Sequence, residues 1–253
     1  MKEQFTTNAI NLKSYSISEA DKIILMYSKE KGLIRGIAKG IKKTNSKLGG
    51  RMDLLVANRM MLNKGRNLDI ICQAEALNTF YNLRNDINKL FYAMYCCEIV
   101  TNFGTENDPN SEEIYSLFYT FLDSLSSAPT KEQSMLSVLR FQLKIMNITG
   151  YSPEFSCCLK CQKTTEKEFY FSIEQGGILC NQCAEHTVKK IRIHNKITKF
   201  LNTLLSEDFN IHTKYDDLAT EKVCDICINL LKKYIEYYSP KHFKTTQVLE
   251  STR

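Results

Sequence analysis

Two kinds of segment are missing from this chain of 253 residues. It contains no run of about 18 consecutive apolar residues, the shortest length typical of a helix that spans a membrane. The amino-terminal segment has neither the apolar core of a secretion signal nor the Arg- and Ser-rich amphipathic character of an organelle-targeting peptide. We therefore expect a cytoplasmic protein with no membrane partner.

Common catalytic motifs are also missing. The sequence has no GxxxxGK[ST] loop, no GxGxxG turn and no HExxH pair, so it lacks the usual means of binding nucleotides or a catalytic zinc ion. Only four histidines are present, and none forms a recognisable motif with a paired carboxylate. An enzyme with a zinc or thiol active site is therefore disfavoured, and we expect no catalytic residue.

Charge is present in a modest and uneven excess. The formal net charge is +6, but residues 1–80 carry 14 Lys and Arg against 7 Asp and Glu, and residues 81–150 carry 5 against 8. All of the basic excess thus lies in the first third of the chain. An anionic partner, if there is one, should meet the protein mainly there.

The first 78 residues have the pattern of a small β-barrel. Five short runs rich in β-branched residues are separated by turn sequences, and they cover residues 6–15, 22–27, 33–39, 54–62 and 68–76. A longer basic link joins the third run to the fourth. This arrangement fits an OB-fold, although an SH3-like barrel would produce much the same pattern.

The rest of the chain is mostly helical. From about Asn78 the apolar spacing changes from two to three or four, with helices predicted near residues 90–100, 111–125, 130–147, 194–205 and 217–238. We predict two domains: a barrel, residues 1–78, and a helical domain, residues 79–253, into which a cysteine module is inserted at about 155–186. The predicted fold class is α+β.

The strongest local motif consists of two CxxC pairs that are separated by 18 residues. Each CxxC places two sulfurs on one tight turn, so two such turns at the ends of a short hairpin can surround one zinc ion. Four sulfurs fill a tetrahedral site and leave no position for substrate, which indicates one structural Zn²⁺. The predicted ligands are Cys158, Cys161, Cys180 and Cys183, with Cys157 as an alternative to Cys158.

The remaining cysteines favour a different interpretation. Cys224 and Cys227 form a third CxxC, but they lie in a helical sequence where free cysteine acts as a small apolar residue. We predict that this pair packs in the core, as do Cys72, Cys96 and Cys97.

A basic loop, residues 39–51, follows the third predicted strand. It contains five cations among glycines and small polar residues, with no acid between them, so it can approach a phosphate backbone and neutralise several charges. Tyr15 and Tyr27 lie on predicted strands of the barrel, and a tyrosine on an exposed strand face could stack on an unpaired base. Each individual tyrosine is more often part of a half-buried core than a stacking platform. The candidate DNA-binding residues are Lys13 and Arg35 on the strands, and Lys39, Lys42, Lys43, Lys47 and Arg51 in the basic loop.

The order of these parts resembles the bacterial recombination mediator family RecO. The resemblance is carried by Ser18-Glu19-Ala20-Asp21 at the first turn, by residues 29–37 with their central glycine, and by Ala38-Lys39-Gly40 leading into the basic loop. The four-cysteine module beginning near residue 158 is its other specific part. The helical region matches only in character.

This resemblance implies an OB-fold that binds single- and double-stranded DNA and anneals complementary strands. It also implies contact with RecR and with the C-terminal tail of the single-stranded-DNA-binding protein, and assistance in loading RecA onto coated DNA. The DNA role would fall on the five cations of the basic loop and the metal role on the four cysteines. The location would be cytoplasmic, in association with the nucleoid.

One further class remains open from the residues alone. A zinc-ribbon protein that binds RNA in the ribosome or the transcription machinery would share both the barrel and the cysteine module. Composition does not separate it from a DNA-binding mediator.

Overall fold

The chain folds into two compact units. The structure, a computed structural model, describes residues 3–207, 209 and 218–245. One unit is Met1–Ser126 with Lys244–Arg253, and the other is Ser127–Phe243. The fold is α+β, with an amino-terminal OB-fold barrel followed by helices and a four-cysteine module.

The barrel is closed by five strands in the order β1-β2-β3-β5-β4. Strand β1 pairs with both β2 and β4, and β3 meets β5 in parallel through Gly36 opposite Asp69 and Ile37 opposite Ile70. This is the OB-fold arrangement that the sequence favoured, and it removes the SH3-like alternative. The strands are β1 (Gln4–Ser16), β2 (Lys22–Ser28), β3 (Gly32–Ala38), β4 (Ala57–Asn63) and β5 (Asp69–Asn78).

The barrel interior is built by period-two alternation along these strands. It holds Ala9, Ile24, Met26, Ile34, Ala38, Met60, Leu62 and Ile71. Two further members, Leu48 and Met52, come from the connection between β3 and β4, where a short 3-10 helix spans Gly49–Met52. The basic loop is therefore attached to the core.

Two helices complete the first unit. They are α1 (Ile87–Phe103) and α2 (Ser111–Ser127), and the carboxylate of Asp86 caps α1 by accepting from the backbone N–H groups of Asn88 and Lys89. Cys97 on α1 donates to the carbonyl oxygen of Leu12 on β1 at 3.3 Å. This contact places α1 against the barrel.

The second unit combines three helices with a small sheet. The helices are α3 (Lys131–Ile148), α4 (Asn195–Ser206) and α5 (Glu221–Tyr238), and the sheet has the order β7-β6-β8. Its strands are β6 (Glu168–Ser172), β7 (Gly177–Leu179) and β8 (Lys190–His194). We call residues 154–194, which hold this sheet and the paired cysteine turns, the cysteine ribbon.

Most predicted elements are present within a few residues of their expected ends. The third strand of the cysteine ribbon, β8, was not predicted, and α5 begins at Glu221, while Asp217 lies outside the described residues. Within the described parts of the chain, none of the helices has both the length and the apolar character that crossing a membrane requires.

Candidate metal centre and nucleic-acid interface

The two CxxC turns bring four sulfur atoms into one cluster. The Sγ atoms of Cys158, Cys161, Cys180 and Cys183 all lie within 4.8 Å of one another, and those of Cys161 and Cys180 are 3.6 Å apart. In a tetrahedral zinc site the Zn–S distance of about 2.3 Å separates the sulfurs by roughly 3.8 Å. The donor set and its spacing therefore fit a metal ion of the zinc type.

The neighbouring Cys157 points elsewhere. Its Sγ lies 3.1 Å from the side-chain oxygen of Gln162, outside the cluster, whereas Cys158 is fully buried. The geometry thus selects the CxxC spacing over the CxxxC alternative.

Backbone hydrogen bonds fold each cysteine turn. The N–H of Gln162 donates to the carbonyl oxygen of Cys158 at 2.9 Å, and the N–H of Ala184 donates to that of Cys180 at 3.0 Å. The N–H of Leu159 reaches Ile178 on β7, which ties the first turn to the strand that precedes the second. The hairpin thereby brings together two turns that are distant in sequence.

The sulfurs strongly affect one another's ionisation. Burial disfavours the thiolate of Cys158, but backbone N–H groups, led by that of Cys161, more than offset it and lower its pKa from 9.0 to about 6. Hydrogen bonds with the sulfurs of Cys180 and Cys161 raise the pKa of Cys183 to about 12. Four neighbouring thiolates need a cation to coexist, and a divalent ion would supply that charge.

Aromatic packing attaches the cysteine ribbon to α5. The rings of Phe155 and Phe171 stack with centroids 5.3 Å apart, and Phe171 meets the edge of Tyr234 at 5.5 Å. The hydroxyl of Tyr238 donates to the carbonyl oxygen of Glu174 at 3.0 Å. The cluster is therefore built into the core of its unit.

The other paired cysteines are packing residues. Cys224 and Cys227 are fully buried on α5, and burial raises the pKa of each thiol to about 12. Cys96 and Cys97 are buried on α1. As predicted, these four are buried in the core, whereas Cys72 is only partly buried.

The basic loop is held by the turn between β1 and β2. The carboxylate of Asp21 accepts from the N–H of Gly40 at 2.7 Å, and the carbonyl oxygen of Ala20 accepts from the N–H of Lys42 at 3.1 Å. Ser18 folds that turn, since its Oγ accepts from the N–H groups of Ala20 and Asp21. Gly40 has φ +65°, a left-handed conformation that favours glycine.

All seven predicted DNA-binding side chains are exposed, and among the described residues none forms an ion pair with a carboxylate. Two of them contact backbone oxygens: Lys42 Nζ donates to Ser18 at 2.9 Å, and Arg51 Nη1 donates to Lys47 at 2.8 Å. Five of the seven belong to the basic loop.

The comparisons with known proteins agree with this architecture. The family model for Recombination protein O N terminal matches residues 1–80, and the model for Recombination protein O C terminal matches residues 84–247. The chain belongs to the RecO family. It is thus a DNA repair protein of the recombination-mediator class.

Curated RecO relatives match over nearly their whole length. The chain is 32% identical to the DNA repair protein RecO of Desulforamulus reducens, over 97% of this chain and 94% of the relative. For the DNA repair protein RecO of Acetivibrio thermocellus the identity is 31%, over 92% and 89%. For that of Gloeobacter violaceus it is 28%, over 97% and 92%.

The two strand cations of this RecO-family barrel share one row. Lys13 on β1 lies opposite Leu25 on β2, and Leu25 lies opposite Arg35 on β3. Paired residues of neighbouring strands face the same side, so the two cations flank Leu25 about 10 Å apart. They lie on the outer surface of the barrel.

The two tyrosines differ in exposure. Tyr15 is 45% exposed and has Lys13 Nζ 5.2 Å from its ring centroid. Tyr27 is fully buried and its hydroxyl donates to Asp108 at 3.1 Å, so it is no stacking platform. Only Tyr15 of this pair can meet a base.

Sequence reasoning missed the groups that hold the basic loop of this RecO-family chain. Leu48 lies among the polar residues of the loop and Met52 follows its last residue, and these two apolar positions could have been identified as core anchors. Asn11 and Asn58, buried in β1 and β4, donate to the carbonyl oxygen of Arg51. The sequence offered one indication of this role, because each asparagine is a polar residue within a strand that contributes apolar residues to the barrel core.

Proposed function

We propose that this RecO-family protein anneals complementary single strands and assists RecA loading onto DNA coated with single-stranded-DNA-binding protein, together with RecR. One observation supports this most directly. Five exposed cations, with no carboxylate partner among the described residues, project from a loop that is fastened to an OB-fold barrel. Because this loop is already held in place, DNA binding does not have to order it first.

Backbone binding suits annealing because it leaves the bases free. Lys and Arg neutralise phosphates and release condensed counterions, and this lowers the repulsion between two strands. Contacts to phosphate carry no base information, so we expect little sequence preference. The mediator needs no covalent chemistry, and we propose no catalytic residue.

The proposed DNA-binding residues comprise the basic loop and its neighbours on the strands. Lys13 and Arg35 would extend the loop's surface over the outer face of the barrel, and the exposed ring of Tyr15 would stack on an unpaired base. Such stacking would favour single strands over duplex. The loop residues in this proposal are Lys39, Lys42, Lys43, Lys47 and Arg51.

We propose that the four-cysteine cluster holds one structural Zn²⁺. The ion would be bound by Cys158, Cys161, Cys180 and Cys183, and it would stabilise the cysteine ribbon by neutralising its thiolates. Four sulfurs leave no coordination position for substrate, so the proposed role is in folding.

Several parts of the proposal depend on the family resemblance. These are the partners RecR and the C-terminal tail of the single-stranded-DNA-binding protein, the binding of duplex DNA, and a cytoplasmic, nucleoid-associated location. The division into a barrel domain, residues 1–78, and a helical domain, residues 79–253, also stays a proposal.

Charge reversal tests the DNA site. Lys42→Glu with Lys43→Glu should weaken binding of fluorescein-labelled oligothymidylate at least about tenfold at low salt, and should lower the salt dependence by about 1.4 logarithmic units per unit of log salt. The matched control is Lys196→Glu with Lys199→Glu, two exposed residues of α4. If both variants lose the same DNA affinity, or if neither loses any, the DNA site lies elsewhere.

Annealing tests the mediator activity. Complementary oligonucleotides coated with their binding protein should pair faster with the wild-type chain and RecR, and the Lys42→Glu, Lys43→Glu variant should lose this acceleration. If the wild-type chain binds bare DNA but never accelerates pairing of coated strands, with or without RecR, the mediator proposal is wrong.

A further inference from the structure

Two buried asparagines meet at the end of the basic loop. The carbonyl oxygen of Arg51 accepts from Asn11 Nδ2 on β1 and from Asn58 Nδ2 on β4, each at 2.8 Å. A carbonyl oxygen has two lone pairs, so these donors use its full capacity. The peptide unit after Arg51 is thereby fixed from two strands.

The same asparagines fix the residues that follow. Asn11 Nδ2 also donates to the carbonyl oxygen of Asp53 at 2.9 Å, and Asn58 Nδ2 donates to that of Val56 at 3.2 Å. In the main chain, the N–H of Asn11 donates to Val56, and the N–H of Leu55 donates to Asn11. The segment between the basic loop and β4 is therefore bonded along β1.

Both strands are irregular at these positions. The register of β1 against β2 shifts between Asn11 and Lys13, and that of β4 against β5 shifts between Ala57 and Asn58. Bulges of this kind redirect side chains and are frequent next to functional sites. Here both irregularities lie at residues that bond Arg51.

Within the residues that the structure describes, each of these amides leaves one buried oxygen atom without a hydrogen-bond partner. Asn11 is 1% exposed and Asn58 is 0% exposed, and the Oδ1 atom of each has no hydrogen-bond partner in the described part of the chain. An orphaned buried oxygen costs free energy that an apolar residue of similar shape would avoid. Their Nδ2 contacts with the loop are what distinguishes asparagine here.

We infer that Asn11 and Asn58 are positioning residues for DNA binding, which set the backbone at Arg51 so that its guanidinium meets a phosphate. The inference rests on the proposed DNA-binding function. Arg51 Nη1 also donates to the carbonyl oxygen of Lys47, so fixing Arg51 restricts the backbone of the basic loop at Lys47 as well. Order that exists before binding reduces the entropy lost when DNA binds.

The test is a double-mutant cycle on binding of fluorescein-labelled oligothymidylate. Asn11→Leu and Asn58→Leu each keep the side chain's approximate shape and leave one donor on Arg51. We expect each to weaken binding about three- to tenfold and to lower the salt dependence by up to about 0.7, the value of one phosphate contact on a single strand. In an Arg51→Ala background neither should weaken binding further.

Asn63→Leu is the matched control. Asn63 lies on the same strand as Asn58 and also has an orphaned buried Oδ1, but it is opposite Gln4 and Ile70, outside the basic loop. It should leave affinity and salt dependence unchanged. Melting temperatures of all variants separate a change in stability from a change in binding. If a leucine variant folds poorly, Asn11→Ala and Asn58→Ala enter the same cycle.

The outcomes separate the inference from the proposed function. Unchanged affinity in Arg51→Ala would remove Arg51 from the DNA site and the inference with it. Weaker binding in Arg51→Ala with unchanged binding in the asparagine variants would overturn the inference alone. The same holds if the asparagine variants weaken binding equally in both backgrounds, or if Asn63→Leu has the same effect.

Discussion

The cysteine ribbon and the basic loop are both irregular segments, but they are held in different ways. In the cysteine ribbon, four sulfurs from two distant turns converge within 4.8 Å of one another, and the arrangement needs a cation to be stable. In the basic loop, Leu48 enters the barrel core together with Met52, which follows the loop directly, and backbone groups bond to Asp21, Ala20 and two asparagines. One segment should depend on metal and the other should not.

Loss of the sulfurs should have the largest effect. Cys158→Ser with Cys180→Ser removes two buried ligands, and we expect zinc content to fall from about one per chain to none. We also expect the second unit to lose at least about 5 kcal/mol of unfolding free energy, since structural zinc contributes folding energy directly. Elemental analysis and thermal unfolding measure both.

Cys157→Ser is the control for that experiment, because its sulfur lies outside the cluster. Zinc content and stability should stay as in the wild type. DNA affinity should be nearly unchanged in both variants, since the groups that hold the basic loop belong to the first unit. A retained zinc ion in the double variant would disprove the assigned ligand set.

Removal of an apolar anchor should have the next largest effect. Met52→Ala leaves a cavity in the barrel core and should cost about 2–5 kcal/mol of unfolding free energy. It should also weaken DNA binding, because Met52 adjoins Arg51. A chelator added before the DNA titration should not weaken binding further.

Met61→Ala is the matched control for Met52→Ala, since Met61 lies on β4 but is only partly buried. It should cost less stability and leave DNA binding unchanged. Equal effects of the two substitutions would show that general barrel stability, rather than the anchor, determines affinity.

Glycine replacement should have a smaller effect. Gly176 and Gly40 both have positive φ, at +76° and +65°, and a side chain there costs about 1–2 kcal/mol. An added Cβ at Gly176 would lie 3.0 Å from the Tyr234 hydroxyl oxygen, whereas at Gly40 its nearest neighbour, on Lys43, is 3.6 Å away. By thermal unfolding, Gly176→Ala should be the more destabilising; the reverse order would contradict the packing at Tyr234.

Thiol labelling tests the unaltered protein, so we expect the smallest effect from it. Burial raises the pKa of Cys97, Cys224 and Cys227 to about 12, so at pH 8 only about one thiol in ten thousand is a thiolate. Iodoacetamide should modify the partly buried Cys72 and Cys157 first, as read by mass spectrometry. Prompt labelling of Cys224 in the folded protein would contradict its core position.

The sequence allowed prediction of the parts that depend on spacing. The CxxC pairs identified the four sulfurs that converge, and alternation identified the five barrel strands, because both patterns depend on local geometry. The helical period around Cys224 and Cys227 correctly indicated that this third CxxC pair packs in the core. The family resemblance supplied the OB-fold where alternation left two barrels possible.

What could not be predicted depends on contacts between distant residues. Tyr27 is buried with its hydroxyl bonded to the distant Asp108, and the basic loop is fastened by Asn11 and Asn58. Strand β8 is only five residues long and runs directly into α4, so its alternation was too short to detect. Tertiary packing decides all three features.

The strand order of the two sheets has a consequence for self-association. The barrel closes on itself, so its five strands offer no free edge, whereas β8 ends the three-stranded sheet of the cysteine ribbon. A bare edge is a template for pairing with another chain. Lys190 and Arg192 lie two residues apart on β8, and charges of one sign repel an identical strand. Neutralising Lys190 and Arg192 should make the protein more prone to aggregate.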